Sequence, residues 1–321
     1  MRRRAETGWD GVAVVLLNYN RHDDTRECLA SLAAATYTHL RVIVCDNASS
    51  TPGLDALERE FPGVRFIRNA TNLGFAGGCN TGISAALDAG ASHVLLLNND
   101  TIVSPGFVEP LLDALHANPQ AGVAGGTVLR WDGSASSEIW YAGGSLSRLK
   151  GEISKPGCGE PFRPEKHPDV VETGFVSGCF AMIPARVLCD VGGLDEDFFF
   201  GTEDLEFAWR LARHGLRSLY VPASVVWHRA GRSRAFDGGE VHRAYVAKFL
   251  LQRKCRSRPA YWAWLTAYTA YMRLGGLARA SRNLAGLGYG EEDVRTVRLS
   301  IDRALRDAWR GTLDTRSGLP A

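Results

Sequence analysis

The stretch that decides the fold is His93-Val94-Leu95-Leu96-Leu97-Asn98-Asn99-Asp100-Thr101. Its apolar part, His93 to Leu97, predicts a buried strand, and the run ends abruptly in a polar triplet that carries the carboxylate of Asp100. Open α/β sheets bind their ligands just beyond the carboxyl ends of the strands. We therefore expect an α/β fold with a binding site at the end of this strand.

Further apolar runs predict more strands of the same sheet, at Val12 to Leu17, Arg41 to Cys45 and Val64 to Ile67. Between the runs, Thr25 to Leu32 and Thr81 to Ala89 have the composition of helices. Strands that alternate with helices are typical of a largely parallel sheet with crossover connections. Right-handed crossovers would bring the strand ends, and the polar residues that follow them, to one edge.

The pattern becomes mixed after a helix predicted over Val108 to His116. Short strands are expected near Val123 to Leu129 and Val176 to Ile183. The Pro- and Gly-rich stretch Lys150 to Asp169 is expected to form a long loop, and loops of that length often serve as lids or binding loops.

Length and composition favour a globular cytoplasmic protein. The chain has 321 residues, 45% hydrophobic and 22% charged, which is enough for one large α/β domain plus an appendage. Its seven cysteines are an odd number without C-x-x-C spacing, so the pattern indicates neither a disulfide framework nor a zinc cage. The start, Met1 to Arg4, is basic, but the apolar stretch that follows is too short for a secretion signal.

Charge divides the chain at about residue 240. Residues 241–321 hold 15 Lys and Arg against 6 Asp and Glu, a net charge of +9, whereas the first 240 residues carry 22 against 29, or −7. The basic part has helical periodicity and an aromatic cluster from Tyr261 to Met272, too short and too interrupted to cross a bilayer. We expect a main domain over 1–240 and a basic, aromatic-rich helical extension over 241–321. A peripheral membrane or phosphate contact, a homodimer contact and a solvated helical face stay open for the extension.

Two segments have the composition of a nucleotide-binding region. Asp46 follows the second predicted strand, where its carboxylate could accept a hydrogen bond from a ligand, although it could also cap the turn with Asn47 and Ser49. The glycines between Asn72 and Gly82 would let the backbone approach a phosphate at a helix start, or would serve only a tight turn.

Asp100 and His228 are candidates for binding a divalent cation. Asp100 supplies a hard oxygen ligand, and His228 ends the apolar run from Ala223 to Trp227, which could return the imidazole to the same edge of the sheet. Asn98 could hydrogen-bond a ribose without adding charge. A single histidine of this kind is more often structural.

Asp204 is the candidate general base. Thr202 is expected to cap a helix that runs from Glu203 towards a stop at Gly215, which puts Glu203 and Asp204 in the first turn. The helix dipole alone would favour acidic residues there. The preceding segment, Asp195 to Gly201, contains three phenylalanines that need a partner surface.

Taken in order along residues 12 to 235, these motifs resemble the family 2 glycosyltransferases with a GT-A fold, and in particular their rhamnosyltransferase-like branch. The resemblance rests on Leu17-Asn18-Tyr19-Asn20, Asp46-Asn47-Ala48-Ser49, Asn72-Leu73-Gly74-Phe75, Asn98-Asn99-Asp100, Gly192 to Phe199, Glu203-Asp204 and His228. It implies a Rossmann-like, mixed, mostly parallel sheet flanked by helices, with the C-terminal helices as an extension.

The resemblance also implies a role for each candidate residue. Asp204 would be the catalytic base, and Asp100 with His228 would hold Mg²⁺ or Mn²⁺. The triplet departs from the family's D-x-D pattern because Asn98 stands first, which removes one negative charge. Acceptor contacts would come from Trp140, Gly143, Gly144 and Glu203. The nucleotide-sugar site would comprise Asn18, Asn20, Asp46, Asn47, Asn72, Gly74, Phe75, Gly77, Asn80, Asn98, Asn99, Arg232 and Ser233.

The function implied is an inverting, metal-dependent transfer of a sugar from a nucleotide diphosphate to an acceptor hydroxyl, with no nucleic-acid partner. Uracil and thymine present an N3–H to the carboxylate of Asp46, whereas neutral cytosine does not. We expect dTDP-rhamnose as the donor, and otherwise a UDP-sugar, and the class of acceptor stays open. A catalytically inactive nucleotide-sugar-binding or scaffold protein is an alternative, suggested by Asn98, and a nucleotidyltransferase is a weaker one. The expected location is the cytoplasm, with a peripheral contact at the inner face of the membrane left open.

Overall fold

The computed structural model describes residue 9 and residues 11–147, 153–167, 169–229, 238–279 and 291–316. The chain forms two compact units. The first holds a large sheet and its flanking helices. The second holds the C-terminal helices together with Ser147 and the segment Asp197–Thr202.

The first unit is built on a ten-stranded mixed sheet and a separate two-stranded one. The strands are β1 (Val12–Asn18), β2 (Leu40–Asp46), β3 (Arg65–Arg68), β4 (His93–Asn98), β5 (Thr101–Val103), β6 (Ala121–Trp131), β7 (Ala135–Tyr141), β8 (Ser145–Leu146), β9 (Ile153–Ser154), β10 (Val171–Thr173), β11 (Phe180–Pro184) and β12 (Arg217–His228). The main order is β10-β12-β6-β11-β4-β1-β2-β3, with β5 on β12 and β7 on β6, while β8 pairs with β9.

Helices cover the sheet and bury its apolar strands. They are α1 (His22–Leu32), α2 (Leu54–Glu60), α3 (Gly74–Asp88), α4 (Glu109–Ala117), α5 (Ala185–Val191) and α6 (Glu203–Arg213). The central strands β1 and β4 are apolar along nearly their whole length, because parallel strands covered on both faces have no solvent side. The predicted mixed, mostly parallel sheet flanked by helices is confirmed.

The register of the sheet brings the polar strand ends to one edge, as the crossover argument predicted. β1 pairs in parallel with β2 and β4, so Asn18 lies opposite Asp46 and Leu17 lies opposite Asn98. On the other side, β12 pairs with β5 so that His228 lies opposite Thr101, the residue after Asp100.

The helix predicted from Thr81 begins earlier, at Gly74, so the glycine-rich segment is helical rather than a loop. The prediction was wrong because the glycines were assigned to backbone freedom, whereas most of them serve close packing. A Cβ on Gly78 would lie 2.3 Å from Leu17 Cδ1, and one on Gly82 would lie 2.3 Å from Val15 Cγ1. The helix can approach β1 so closely because these positions lack side chains.

Two other local expectations also differ from the structure. Thr202 does not cap α6, since its Oγ1 atom is buried without a hydrogen-bond partner among the described residues and its φ is +72°. The strand expected from Val176 begins at Phe180, and Val176 itself lies before it. Gly215 follows the end of α6 with a φ of +71°, which fits the predicted helix stop.

The second unit consists of helices around its own apolar core, which confirms the predicted helical extension. They are α7 (Gly238–Cys255), α8 (Arg258–Tyr271), a π-helical turn (Met272–Gly276) and α9 (Glu291–Arg310). Four apolar residues on one face of α9 are buried at three- and four-residue spacing: Val297, Ile301, Leu305 and Ala308. The aromatic residues Tyr261, Trp264 and Tyr268 are buried in the same core, whereas Trp262 is exposed.

Two of the three phenylalanines in the segment Asp195 to Gly201 find a partner surface within the second unit, whereas Phe200 is 55% exposed. Phe198 and Phe199 are buried, and the Phe199 N–H donates to Thr315 Oγ1 at 3.0 Å. Thr315 Oγ1 in turn donates to the Asp197 carbonyl at 2.7 Å. Among the described helices, none combines the length and apolar character that crossing a bilayer requires.

Candidate active site

The carboxylate of Asp46 lies buried at the end of β2, where it organises the following turn. Its Oδ1 atom accepts hydrogen bonds from Asn18 Nδ2 and Ser49 Oγ, both at 2.6 Å, and its Oδ2 atom accepts one from the Ser49 N–H at 3.0 Å. Asn18 is fully buried and accepts from Thr25 Oγ1 at 2.8 Å. The turn contacts with Ser49 are therefore present, and Oδ2, which accepts one hydrogen bond, keeps a lone pair for a further donor.

Asn47 ties the end of β2 to the start of α3. Its Nδ2 atom donates to Asn72 Oδ1 at 2.8 Å and to the Gly74 carbonyl at 3.0 Å, while its Oδ1 atom accepts from the Leu73 N–H at 3.1 Å. Asn72 Oδ1 also accepts from the Gly74 N–H at 2.9 Å. These bonds fix the approach to α3, whose second residue is the half-buried Phe75.

Asn80 connects α3 to the segment that precedes the phenylalanines. Its Nδ2 atom donates to the Leu194 carbonyl and to Glu196 Oε1, each at 2.9 Å, and its Oδ1 atom accepts from the Leu194 N–H at 2.9 Å. A Cβ on Gly77, one turn earlier, would lie 3.8 Å from the Glu196 carboxyl group. This part of α3 therefore holds a neighbouring loop as well as facing the proposed nucleotide region.

Asn20 and Asn99 stabilise loops at the same edge. Asn20 has a φ of +57°, and its Oδ1 atom accepts from the N–H groups of Ser50 and Thr51 at 2.7 and 3.0 Å. Asn99 Nδ2 donates to Thr25 Oγ1 at 2.8 Å. The remaining two residues of the predicted nucleotide-sugar site, Arg232 and Ser233, lie outside the described residues.

Asp100 and His228 are in direct contact. Asp100 Oδ1 lies 2.9 Å from His228 Nε2, and Asn98 Nδ2 lies 3.3 Å from the same nitrogen. The Arg229 N–H donates to the Asp100 carbonyl at 3.0 Å and holds the backbone of β12 against the triplet. The other imidazole nitrogen, Nδ1, is buried and has no hydrogen-bond partner among the described residues.

The contact between Asp100 and His228 moves the pKa of both groups towards the charged forms. Burial raises the pKa of Asp100, but the hydrogen bond and charge of His228 outweigh it, so this pKa lies below its usual value. Burial lowers the pKa of His228, whereas neighbouring Cys179 and Asp100 raise it to about 10. In this form Nε2 carries a proton that it donates to Asp100, so His228 would have to release that proton before Nε2 could bind a metal beside the Asp100 oxygen.

Trp140 contacts both His228 and Lys155. The rings of Trp140 and His228 meet edge to face with centroids 4.8 Å apart. Lys155 Nζ lies 4.1 Å from the centroid of the Trp140 ring, within the range of a cation–π contact. The indole therefore contacts both an imidazole and an ammonium group.

Asp204 lies in the first turn of α6 and is half-buried. Its Oδ2 atom accepts from the Gly178 N–H at 3.3 Å, and its Oδ1 atom accepts from the Leu205 N–H at 2.8 Å. Burial raises the pKa of Asp204, and these two N–H groups and the charge of Lys155 only partly oppose the shift. A carboxylate with a raised pKa is a better proton acceptor than an ordinary aspartate.

Glu203, Gly143 and Gly144 are the other residues predicted to face the acceptor, and Glu203 immediately precedes Asp204 in α6. Glu203 is buried, with 7% of its surface exposed. Gly143 has a φ of +82°, and the Gly144 N–H donates to Thr173 Oγ1 at 2.8 Å. A Cβ on Gly144 would lie 2.5 Å from Phe175 Cε1, so the backbone here approaches an aromatic ring.

A short chain of contacts joins Asp204 to the Asp100–His228 pair. Asp204 accepts a hydrogen bond from the Gly178 N–H. The carbonyl of the next residue, Cys179, accepts one from the Asn98 N–H at 2.9 Å. The side chain of Asn98 in turn lies close to His228. The triplet, the histidine and the candidate base therefore meet in one region of the first unit, although their sequence positions are far apart.

Lys155, Gly178 and Cys179 contribute to this region, and the sequence analysis had not singled them out. Lys155 lies in the Pro- and Gly-rich stretch that was expected to be a binding loop, which was the one available signal. Gly178 and Cys179 contribute through backbone groups, which every residue type has, so the sequence could not indicate these contacts.

The donor set at Asp100 and His228 fits a divalent cation in part. Among the described residues, no group of three or more His, Cys, Asp or Glu side chains is arranged to hold a metal. The 2.9 Å contact nevertheless gives two converging ligand atoms, and Mg²⁺ or Mn²⁺ in phosphate-transfer sites commonly takes its other ligands from substrate phosphates and water.

Comparison with known proteins gives related glycosyltransferases. An L-rhamnosyltransferase of Mycobacterium tuberculosis, named N-acetylglucosaminyl-diphospho-decaprenol L-rhamnosyltransferase, is 29% identical over 242 residues, which cover 71% of this chain and 79% of the relative. A low-salt glycan biosynthesis hexosyltransferase of Haloferax volcanii is 24% identical, covering 66% of this chain and 64% of the relative. A poly-beta-1,6-N-acetyl-D-glucosamine synthase of Staphylococcus aureus is 27% identical, and the match spans only 50% of its length.

Solved structures confirm the fold class. The crystal structure of GalNAc-T7 with UDP, GalNAc and Mn²⁺ superposes with a TM-score of 0.56 at 17% sequence identity, covering 69% of this chain and 44% of that one. The profile of the family described as Glycosyl transferase family 2 matches residues 13–188, which include nearly all of β1, the strands β2 to β11, the triplet and the whole loop around Lys155. The chain is therefore a glycosyltransferase and belongs to glycosyl transferase family 2.

Proposed function

We propose that the protein transfers a sugar, with inversion at the anomeric carbon, from a nucleotide diphosphate to an acceptor hydroxyl. The observation that carries this proposal is the connection of Asp204 to the Asp100–His228 pair through Gly178, Cys179 and Asn98. It supports the proposal because it links the candidate proton acceptor to the two candidate metal ligands.

Asp204 is the proposed base. Its carboxylate takes the proton of the acceptor hydroxyl while that oxygen forms a bond to the anomeric carbon, and the bond from this carbon to the diphosphate oxygen breaks with its electron pair. An alcohol is far too weakly acidic to be ionised beforehand by a carboxylate, so proton transfer accompanies attack. The two N–H groups on Asp204 hold the carboxylate in position for this step.

Asp100 and His228 are the proposed ligands of Mg²⁺ or Mn²⁺. Bound there, a divalent cation supplies positive charge that neutralises the departing diphosphate. Asn98 makes this site less negative than a pair of aspartates would. Its amide could bind a ribose hydroxyl, because an amide offers both a donor nitrogen and an acceptor oxygen.

The proposed donor is dTDP-rhamnose, with UDP-sugars as the next candidates. The carboxylate of Asp46 favours a base that presents an N3–H, which thymine and uracil do. Asn18 is fully buried, so its proposed part is to orient Asp46 rather than to touch the nucleotide. The name of the mycobacterial relative supports rhamnose as the sugar.

The acceptor is proposed to bind beside Trp140, close to Asp204. Indole surfaces commonly stack on sugar rings through their apolar face, but here Lys155 already covers one ring face and therefore adds a positive charge to the acceptor region. This charge favours an acceptor that carries a phosphate near its reacting sugar. The diphosphate in the relative's named substrate supports the same class.

The proposal also assigns separate roles to residues 1–240 and residues 241–321. Donor binding and catalysis are assigned to the first part, because Asp46, Asp100, Asp204 and His228 all lie there. The boundary at residue 240 stays a prediction.

A screen of nucleotide-sugars tests the donor assignment. Thermal unfolding of the full chain is followed with dTDP-rhamnose, UDP-sugars, GDP-mannose and CDP, each with and without Mn²⁺. We expect the largest rise in unfolding temperature with dTDP-rhamnose plus Mn²⁺, since a ligand that binds only the folded state stabilises it. Release of dTDP is then measured with a lipid-diphosphate-linked N-acetylglucosamine acceptor.

Each outcome of the screen has a definite meaning. A rise with CDP as large as with dTDP would contradict the role of Asp46. Tight donor binding without turnover on any hydroxyl acceptor would favour the inactive nucleotide-sugar-binding protein over the enzyme. Equal binding with and without the metal would remove the proposed role of Asp100 and His228.

A further inference from the structure

Three arginines of the second unit line one surface cavity, and they are not used by the proposed catalytic site. Arg273, Arg306 and Arg310 surround a cavity of about 250 Å³, together with Asp302 as the one acidic side chain. All three arginines are exposed. The cavity therefore carries a local excess of two positive charges within a unit that is itself basic.

These three guanidinium groups have no ion pair or side-chain hydrogen bond within residues 238–279 and 291–316. Other basic residues of the unit are engaged. Lys254 pairs with Asp197 at 2.5 Å, and Arg256 donates to Gln252 at 2.8 Å. Guanidinium groups bind phosphate oxygens through paired N–H donors, so converging arginines without partners suit a phosphate group.

Large apolar side chains flank the cavity. Trp309 forms part of its wall with 45% of its surface exposed, and Trp262, 42% exposed, lies beside it with ring centroids 5.6 Å apart. Leu274, next to Arg273 in sequence, is 88% exposed. Trp309 Nε1 donates to Thr269 Oγ1 at 3.1 Å, which holds the indole at the cavity.

We propose that this surface, made of Arg273, Arg306, Arg310, Trp262, Trp309 and Leu274, docks on an anionic phospholipid membrane, with a lipid phosphate in the arginine cavity. Tryptophan and leucine side chains are stable at the boundary between headgroups and acyl chains, and basic residues beside them add attraction to anionic lipids. A free phosphate would use the arginines alone and would leave the exposed apolar side chains without a role. The docking is independent of the donor and of the acceptor.

Vesicle co-sedimentation of the full chain tests the proposal. We expect binding to vesicles of phosphatidylglycerol and phosphatidylcholine, weak binding to phosphatidylcholine alone, and loss of binding in high salt. The test variant carries Arg273→Gln, Arg306→Gln and Arg310→Gln. The matched control carries Arg295→Gln, Arg298→Gln and Arg303→Gln, which remove the same charge from exposed positions of α9 that do not line the cavity.

The cavity variant should lose about tenfold or more of its partition to anionic vesicles, whereas the control should lose no more than about threefold. Both should keep the parent's thermal unfolding temperature, because none of the three cavity side chains makes a contact that folding needs. Equal loss in the two variants would overturn the proposal in favour of general charge attraction. So would thermal stabilisation by inorganic phosphate in a parent protein that does not bind vesicles, which would indicate a soluble phosphate ligand.

Trp262→Ser provides a second variant that leaves the charge unchanged. It should reduce partition to anionic vesicles while the salt dependence stays that of the parent, since the salt dependence reports the arginines. Unchanged partition would contradict membrane insertion of this surface.

Discussion

Lys155 Nζ lies 4.1 Å from the centre of the Trp140 ring, and its charge also acts on Asp204. One loop residue thus influences both the proposed acceptor platform and the proposed base. Burial alone would raise the pKa of Asp204 further than it is raised, and Lys155 keeps the carboxylate ionised to lower pH.

Replacing Lys155 by Met should move the acidic limb of the rate profile. Without the ammonium group, Asp204 becomes protonated at higher pH, so the acidic limb of kcat/KM should shift to higher pH, because the positive charge that favours the ionised carboxylate is gone. The measurement is sugar transfer across pH 4 to 8. Lys166→Met, at an exposed position of the same segment, is the control and should leave the profile unchanged. A Lys155→Met profile that coincides with the parent would show that the ammonium group has no influence on the base.

Asp204→Asn should abolish transfer and stabilise the fold at neutral pH. Loss of a general base costs about 10²- to 10⁴-fold in kcat, while donor binding should persist because the amide oxygen still accepts the Leu205 N–H and only the longer contact from the Gly178 N–H, at 3.3 Å, is given up. The pKa of Asp204 is higher in the folded chain than in the unfolded chain, so its ionisation opposes folding above that pKa. The neutral amide avoids this cost.

Two measurements, the unfolding temperature and the rate of sugar transfer, test the prediction for Asp204. The unfolding temperature of Asp204→Asn should exceed that of the parent at pH 7, and the difference should shrink as the pH falls through the folded pKa and the parent carboxylate takes up its proton. Asp88→Asn, at an exposed carboxylate, should show neither effect. Full turnover in Asp204→Asn would assign the base elsewhere.

Much of the fold could be predicted from the sequence, because uninterrupted apolar runs such as Val12 to Leu17 and His93 to Leu97 indicate buried strands directly. The start of α3 was predicted too late in the chain, because glycine occurs both in turns and at positions where a helix packs closely, and the residue type alone does not tell the two apart. Asp100, His228 and Asp204 were found because ionisable groups at strand ends and helix starts are visible in sequence. Gly178 and Cys179 act through the backbone, and Lys155 reaches the site through a loop whose path no periodicity encodes.

Asp100→Asn should uncouple donor binding from the metal. The change keeps the size of the side chain but removes the charge that attracts a divalent cation, so Mn²⁺ should no longer strengthen dTDP-sugar binding. Calorimetry of donor binding with Mn²⁺ and after chelation measures the effect, and Asp113→Asn, at an exposed position of α4, is the control. A metal-dependent increase in affinity that survives in Asp100→Asn would place the cation on other residues.

Asn18→Ala should weaken both folding and donor binding without touching the donor. Asn18 is fully buried and contacts Asp46, Thr25 and His22, so its loss removes a hydrogen bond from each of these buried side chains. We expect the free energy of unfolding to fall by about 1–3 kcal/mol, measured by urea denaturation. Binding of dTDP should also weaken, because Asp46 is no longer held. Unchanged nucleotide affinity in a destabilised Asn18→Ala protein would separate Asp46 from base recognition.

Gly82→Ala should destabilise the first unit although alanine favours helices. A methyl group at Gly82 would lie 2.3 Å from Val15 Cγ1 and 3.0 Å from Cys45 Sγ, and the β-branched valine has little freedom to move aside. Overpacking of this kind typically costs about 1–3 kcal/mol, more than the gain of up to about 1 kcal/mol from exchanging glycine for alanine within a helix. Gly63→Ala, where nothing lies within 4 Å of the added methyl group, is the control and should change the free energy of unfolding little. If urea denaturation showed Gly82→Ala to be as stable as Gly63→Ala, α3 would not depend on close approach to β1, and the glycine-rich segment would have to be explained by ligand contact instead.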